Sequence, residues 1–254
     1  MARLSLSLLL MTMLAGHIAQ ASDVAPPIAE PLPLDHWQAS DWKGQPEATQ
    51  IDKQTVLFAK HDSDNYVGLA ILLPDWPRSG QLWQLTRALS QLGFDTLLLL
   101  PSPQQTELDP AAEKKAKESD AFRKQLAERI SKLADAKLQE GGFKLILAQG
   151  TGAAWTANLI ASEQLPAPDA LVLLDGFFPD QQSNQILAKE IAQGTIPTLD
   201  LYQEDGGRWP LLAAEARQTE SRRSHKLNYR PYALMELGET PTRIQGWLNH
   251  LGWL

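Results

Sequence analysis

The run Lys144-Leu145-Ile146-Leu147-Ala148-Gln149-Gly150-Thr151-Gly152-Ala153-Ala154-Trp155 joins a strand-like apolar stretch to a helix-like one through a turn of small residues. Such a corner suits a nucleophile. It lifts one side chain clear of the backbone and sets helix N–H groups beside it. Small residues are needed two before and two after the raised position, because helix and strand pass close together. Ala148-Gln149-Gly150-Thr151-Gly152 fits that spacing and puts Gly150 at the raised position. Glycine has no side-chain atom to attack a carbonyl. The other register, Gln149 to Ala153, raises Thr151 but sets a bulky glutamine where a small residue belongs. Threonine is also hindered and usually serves as a nucleophile beside a terminal amine. Gly150 is the better fit.

Other groupings offer less. His61-Asp62-Ser63-Asp64-Asn65 sets two carboxylates beside a histidine. A calcium loop would need a further oxygen ligand, a glycine and a distant glutamate at fixed spacing, and none is there. The segment reads as a solvated hairpin turn between strands at Thr55–Lys60 and Val67–Leu73. No metal site is expected, and no cofactor. Gly150-x-Gly152 lacks the third glycine of a dinucleotide fingerprint, with Trp155 in its place.

The elements that must position the corner alternate along the chain. Strands are expected at Leu69–Leu73, Phe94–Leu100, Lys144–Ala148, Ala170–Leu174, Pro197–Tyr202 and Ala233–Leu237. Helices are expected at Leu82–Leu92, within Pro110–Glu140, at Gly152–Glu163, Gln182–Gln193 and Leu211–Arg222, and from Pro241 to the end. Phe122, Leu126, Ile130 and Leu133 mark one buried helical stripe. Ile244, Trp247, Leu248 and Leu251 mark another. Alternating strands and helices predict an α/β fold, a mostly parallel central sheet with helices on both faces.

The amino-terminal residues suggest an address. Arg3, an apolar run from Leu4 to Ala15 and Ala19-Gln20-Ala21 have the form of an export signal, with cleavage expected after Ala21. The run is shorter than a membrane-spanning helix requires, and no later segment is long and apolar enough, so no transmembrane anchor is expected after cleavage. Residues 22–50, with five prolines, read as an extended arm pinned by Leu34, Trp37 and Trp42. Residues 51–254 read as the folded domain. The 254-residue chain has no cysteine, which removes disulfides, thiol catalysis and thiolate metal sites. Its formal charge of −7 becomes −8 without Arg3. An acidic chain without a long basic run makes nucleic acid an unlikely partner class.

The order of elements resembles the α/β-hydrolase fold from Thr55 to Leu254. That resemblance implies a nucleophile, an acid and a histidine on loops at the carboxyl ends of strands, in that order. The acid would be Glu204 or Asp205, in Gln203-Glu204-Asp205-Gly206-Gly207; a solvated turn also explains these residues. The histidine should follow the last strand, where Glu236-Leu237-Gly238-Glu239-Thr240-Pro241 has none. His225 precedes that strand and His250 lies far along the last helix. The oxyanion loop should follow Leu69–Leu73, which runs directly into Pro74-Asp75-Trp76-Pro77.

Leu72-Leu73-Pro74-Asp75-Trp76-Pro77, Gln149-Gly150-Thr151-Gly152-Ala153-Ala154-Trp155 and the ending Arg243–Leu248 resemble an exported family of Gram-negative bacteria, domain of unknown function 3530. The family resemblance implies a His-Gly loop before Asp-Trp-Pro and a histidine after the last strand; both are missing here. Three readings follow. The first is a catalytically degenerate hydrolase scaffold in the periplasm that binds a small ligand or an envelope partner, with Asp75, Trp76, Gly150, Thr151, Phe177 and Phe178 near the old cleft. The second is an active hydrolase using Thr151, Ser102 or Ser183 with Asp205 or Glu239. The third is an envelope interaction protein that uses its arm or the charged outer helix at Glu113–Glu118.

Overall fold

The computed structural model describes residues 47–51, 54–75, 82–100, 104–108 and 116–254. The export signal, Leu34, Trp37, Trp42, Trp76 and Ser102 lie outside the described residues. Eight strands form one sheet: β1 (Glu47–Ile51), β2 (Gln54–Ala59), β3 (Gly68–Leu73), β4 (Phe94–Leu99), β5 (Phe143–Gln149), β6 (Ala170–Leu174), β7 (Thr198–Gln203) and β8 (Tyr229–Leu234). Their order is β1-β2-β4-β3-β5-β6-β7-β8, with β2 antiparallel to both neighbours and β4 through β8 parallel. Among the described residues seven α-helices accompany them: α1 (Trp83–Gln91), α2 (Gln104–Glu107), α3 (Ala116–Lys137), α4 (Gly150–Ala161), α5 (Gln181–Gln193), α6 (Arg208–Arg223) and α7 (Thr240–His250).

The central strands are apolar on both sides because both faces are covered. Side chains alternate along each strand. Leu69, Ile71, Leu73, Ile146 and Ala148 pack toward α3, α4 and α5. Ala70, Leu72, Leu145 and Leu147 pack toward α1 and α7. The stripe expected on α3, Phe122, Leu126, Ile130 and Leu133, is buried, and Ile244, Trp247 and Leu248 of α7 close the other side.

Three expectations need correction. The segment at His61–Asn65 is not a hairpin turn. β2 and β3 each pair with β4, so this loop crosses over β4. Its histidine is anchored there: the His61 backbone N–H donates to Asp95 Oδ1 at 2.9 Å, and Nδ1 lies 2.7 Å from the same oxygen. Nothing in the local pattern reveals that crossing, because two short apolar runs around a polar turn look the same when a third strand separates them. The last strand is β8, ending at Leu234, and not Ala233–Leu237. It lies at the sheet's edge and is half exposed, so it carries Arg230 and Pro231 where an inner strand would be apolar. Met235, inside the expected range, is 91% exposed. The strand β1 also begins at Glu47, inside the stretch read as the arm.

One polar cluster sits inside this apolar frame. Asp200 of β7 faces Arg217 of α6, and both are buried. Arg217 Nε donates to Asp200 Oδ2 at 2.7 Å and Nη2 to Oδ1 at 2.9 Å. The Tyr229 hydroxyl also donates to Asp200 Oδ2. Burial and the adjacent carboxylate push the Tyr229 phenol far above its ordinary value. The remaining guanidinium nitrogen, Nη1, donates to the Gly176 carbonyl at 2.6 Å, fixing the loop after β6. Removing Asp200 or Arg217 leaves an uncompensated buried charge. Arg217→Leu is therefore expected to lower stability by about 3–5 kcal/mol, read as a fall in the urea midpoint. Tyr229→Phe should lose only about 1 kcal/mol.

Candidate functional site

The corner between β5 and α4 turns on Gly150, whose φ is +57°. That left-handed conformation is easy for glycine and strained for other residues. Gln149 is extended and precedes the helix without a side-chain cap. The cap comes from another strand. Asp75 Oδ1 accepts the Thr151 backbone N–H at 3.2 Å and the Thr151 hydroxyl at 2.7 Å. A carboxylate there is favoured by the unpaired N–H groups and the helix dipole.

Register explains the meeting. β3 and β5 are parallel neighbours with Leu73 opposite Ala148. Two residues further along each strand stand Asp75 and Gly150. The carboxylate lies where a side chain at 150 would project: a Cβ on Gly150 would come 2.3 Å from Asp75 Cγ and 2.5 Å from Oδ2. Asp75 therefore fills the place that a side chain at position 150 would take. It also takes the N–H of the residue after the nucleophile position, the donor that such corners aim at an oxyanion. Both Asp75 and Thr151 are only 2% exposed.

Helix α2, which the sequence reading did not foresee, packs over the same corner. Gln105 Nε2 donates to the Pro74 carbonyl at 3.1 Å, and the Gln105 carbonyl accepts from Trp155 Nε1 at 3.1 Å. A Cβ on Gly152 would come 2.9 Å from Gln105 Nε2. Small residues at 150 and 152 thus make room for Asp75 and Gln105.

Phe177 and Phe178 are beside the corner. The Phe177 N–H donates to the Gly150 carbonyl at 3.3 Å, and its side chain is half-buried. The Phe178 ring is buried edge-on against Trp155, with centroids 5.1 Å apart. Glu204 and Asp205 are exposed in the turn after β7. The acid that reaches inward is Asp175, which the sequence reading missed. It follows β6 directly, has φ +49°, and is fully buried. Its Oδ1 accepts the Gln203 N–H at 2.8 Å. Its signal was Asp175-Gly176 at the end of an unbroken apolar strand.

The described histidines lie at the other end of the sheet. The corner is at the carboxyl ends of the parallel strands. His61 is bound to Asp95 at the start of β4, His225 precedes β8, and His250 ends α7 after that helix has run back from the carboxyl end. A strand of six residues spans about 20 Å. Ser183 lies in the first turn of α5, where Asp180 Oδ1 accepts its backbone N–H at 2.9 Å. Glu239 pairs with Arg243 at 2.8 Å, and that hydrogen bond pulls its carboxyl below the usual range. Among the described residues no group of three or more histidines and acids could hold a metal ion.

The sequence pattern of residues 99–254, which includes the corner, matches the model of the family described as "protein of unknown function (DUF3530)". The chain belongs to the DUF3530 family. No curated protein matches it. Solved structures similar to this DUF3530 chain are α/β-hydrolase-like. A sugar hydrolase from Lactococcus lactis superposes with a TM-score of 0.58 at 12% identity, covering 82% of this chain and 98% of that one. Est1E from Butyrivibrio proteoclasticus gives 0.57 at 11%, covering 82% and 98%. A Thermus thermophilus protein, TT1662, gives 0.58 at 15%, covering 82% and 97%. Identities this low establish the fold alone.

The contact between positions 75 and 150 has a direct test. Gly150→Ser adds a left-handed serine and a clash, and should destabilise by about 2–4 kcal/mol. Asp75→Gly should lose about 1–2 kcal/mol of capping. The double variant should be more stable than the sum by at least about 1 kcal/mol, measured by urea unfolding.

Proposed function

We propose that this protein is a non-catalytic member of its family, exported to the periplasm, that acts by binding a small ligand or an envelope partner. The observation that carries the reading is the Asp75 carboxylate, set where a nucleophile's side chain would stand and already accepting the Thr151 N–H. Acyl transfer needs a nucleophile, a base to take its proton, and donors for the negative charge that develops on oxygen. At this corner the first is a glycine, and no described histidine stands at this end of the sheet. A donor for the third already holds a carboxylate. Substrate oxygen would develop negative charge against a buried acid. Phe177, half-buried beside Gly150, is the cleft residue best placed to meet a ligand.

A second reading, in which the protein is an active hydrolase, would have to start from one pair of groups. The Thr151 hydroxyl donates to Asp75 Oδ1 at 2.7 Å, so a hydroxyl and a carboxylate are paired. That hydroxyl is buried and is spent on a cap, which supports the first reading instead.

The deciding experiment offers mature protein to nitrophenyl acetate and butyrate and to a fluorophosphonate probe. The expected result is no labelling, and turnover equal to that of heat-denatured protein. Labelling that maps by mass spectrometry to Thr151, Ser183 or Ser102 would overturn the proposal. Export is tested separately. The cellular protein should begin at Ser22 by intact mass and be released with the periplasmic fraction; a full-length cytoplasmic species would contradict this part.

A further inference from the structure

A pocket opens at the amino ends of the strands, away from the corner. It encloses about 400 Å³ between the last turns of α4 and α5, within the range of small-molecule sites. Leu171 and Thr198, at the starts of β6 and β7, line it together with Ile191 and Ile196. Three charged side chains line the same space: Glu163 just past α4, Glu190 of α5 and Lys226 before β8.

Lys226 and Glu190 are each anchored by a neutral group. Lys226 Nζ donates to the Gly194 carbonyl at 2.7 Å, just past the end of α5, where helix carbonyls favour a cation. Glu190 Oε2 accepts from Asn158 Nδ2 at 3.3 Å, with Arg123 of α3 as a more distant cation. Glu190 and Lys226 form no ion pair with each other among the described residues. Partial burial lowers the Lys226 pKa to about 8, and burial also raises that of Glu190. Both shifts come from burial of a charged group.

We propose that this cavity binds a small amphoteric molecule with an aliphatic body, of the chemical class of a branched-chain amino acid. Its carboxylate would meet Lys226, its ammonium Glu190, and its aliphatic part Leu171, Ile191 and Ile196. A plain anion would lie beside the acids Glu163 and Glu190, and a plain cation beside Lys226. A molecule carrying both charges satisfies the two ends at once. The site is at the opposite end of the sheet from the corner and stands whether or not the corner is catalytic.

The test titrates the full mature chain with L-leucine, 3-methylbutanoate and 3-methylbutylamine, followed by amide NMR. Leucine should give saturable shifts at Leu171, Gly194 and Thr195. Each analogue lacking one charge should bind at least ~10-fold more weakly. Lys226→Met and Glu190→Gln should each weaken leucine ~10-fold while the remaining spectrum stays native. The absence of saturable shifts up to about 10 mM leucine would overturn the proposal. So would an analogue binding as tightly as leucine, since that would make the cavity a simple carboxylate or amine site.

Discussion

The hydrogen bonds from Thr151 to Asp75 tie two parts of the molecule that are 76 residues apart. They join the end of β3 to the start of α4, at the point where the sheet's two central strands leave the core. The glycine at 150 follows from this contact, because any larger side chain would meet the carboxylate. So does the capped start of α4, which has no cap of its own. The neighbouring loop is held in turn by Arg217 through the Gly176 carbonyl and by the hydrogen bond from Phe177 to Gly150.

The contact also reverses the electrostatics of the place. In a hydrolase the start of this helix is kept ready for negative charge that appears only as the reaction proceeds. Here an acidic side chain of the protein already takes that place. A helix start satisfied by a built-in acid is a stable arrangement. It is a poor one for stabilising a second anion, since like charges in a partly dehydrated space repel strongly. The pairing of Gly150 with Asp75 therefore caps the corner that the fold needs.

Much of the fold was legible. Inner strands are continuous apolar runs because they are covered on both faces, and α3 and α7 declare themselves by their spacing. What escaped the sequence depended on neighbours. The strand β8 is half exposed and lacks the apolar pattern of the others. The path from β2 to β3 over β4 has no local signature. At the site, the sequence indicated a glycine in place of a nucleophile but could not say what took its room, because that answer lies on another strand. Asp200, between Leu199 and Leu201, was a readable sign that a cation waits opposite; its identity as Arg217 was not readable.

The central claim is that the Thr151 N–H is already occupied by Asp75. The direct measurement is the Thr151 amide signal during titration with methylphosphonate, in the native protein and in Asp75→Ala. The account predicts an unmoved signal in the native protein and a saturable shift in the variant, where the helix start has been freed for an anion. A saturable shift of the same size in the native protein would contradict it.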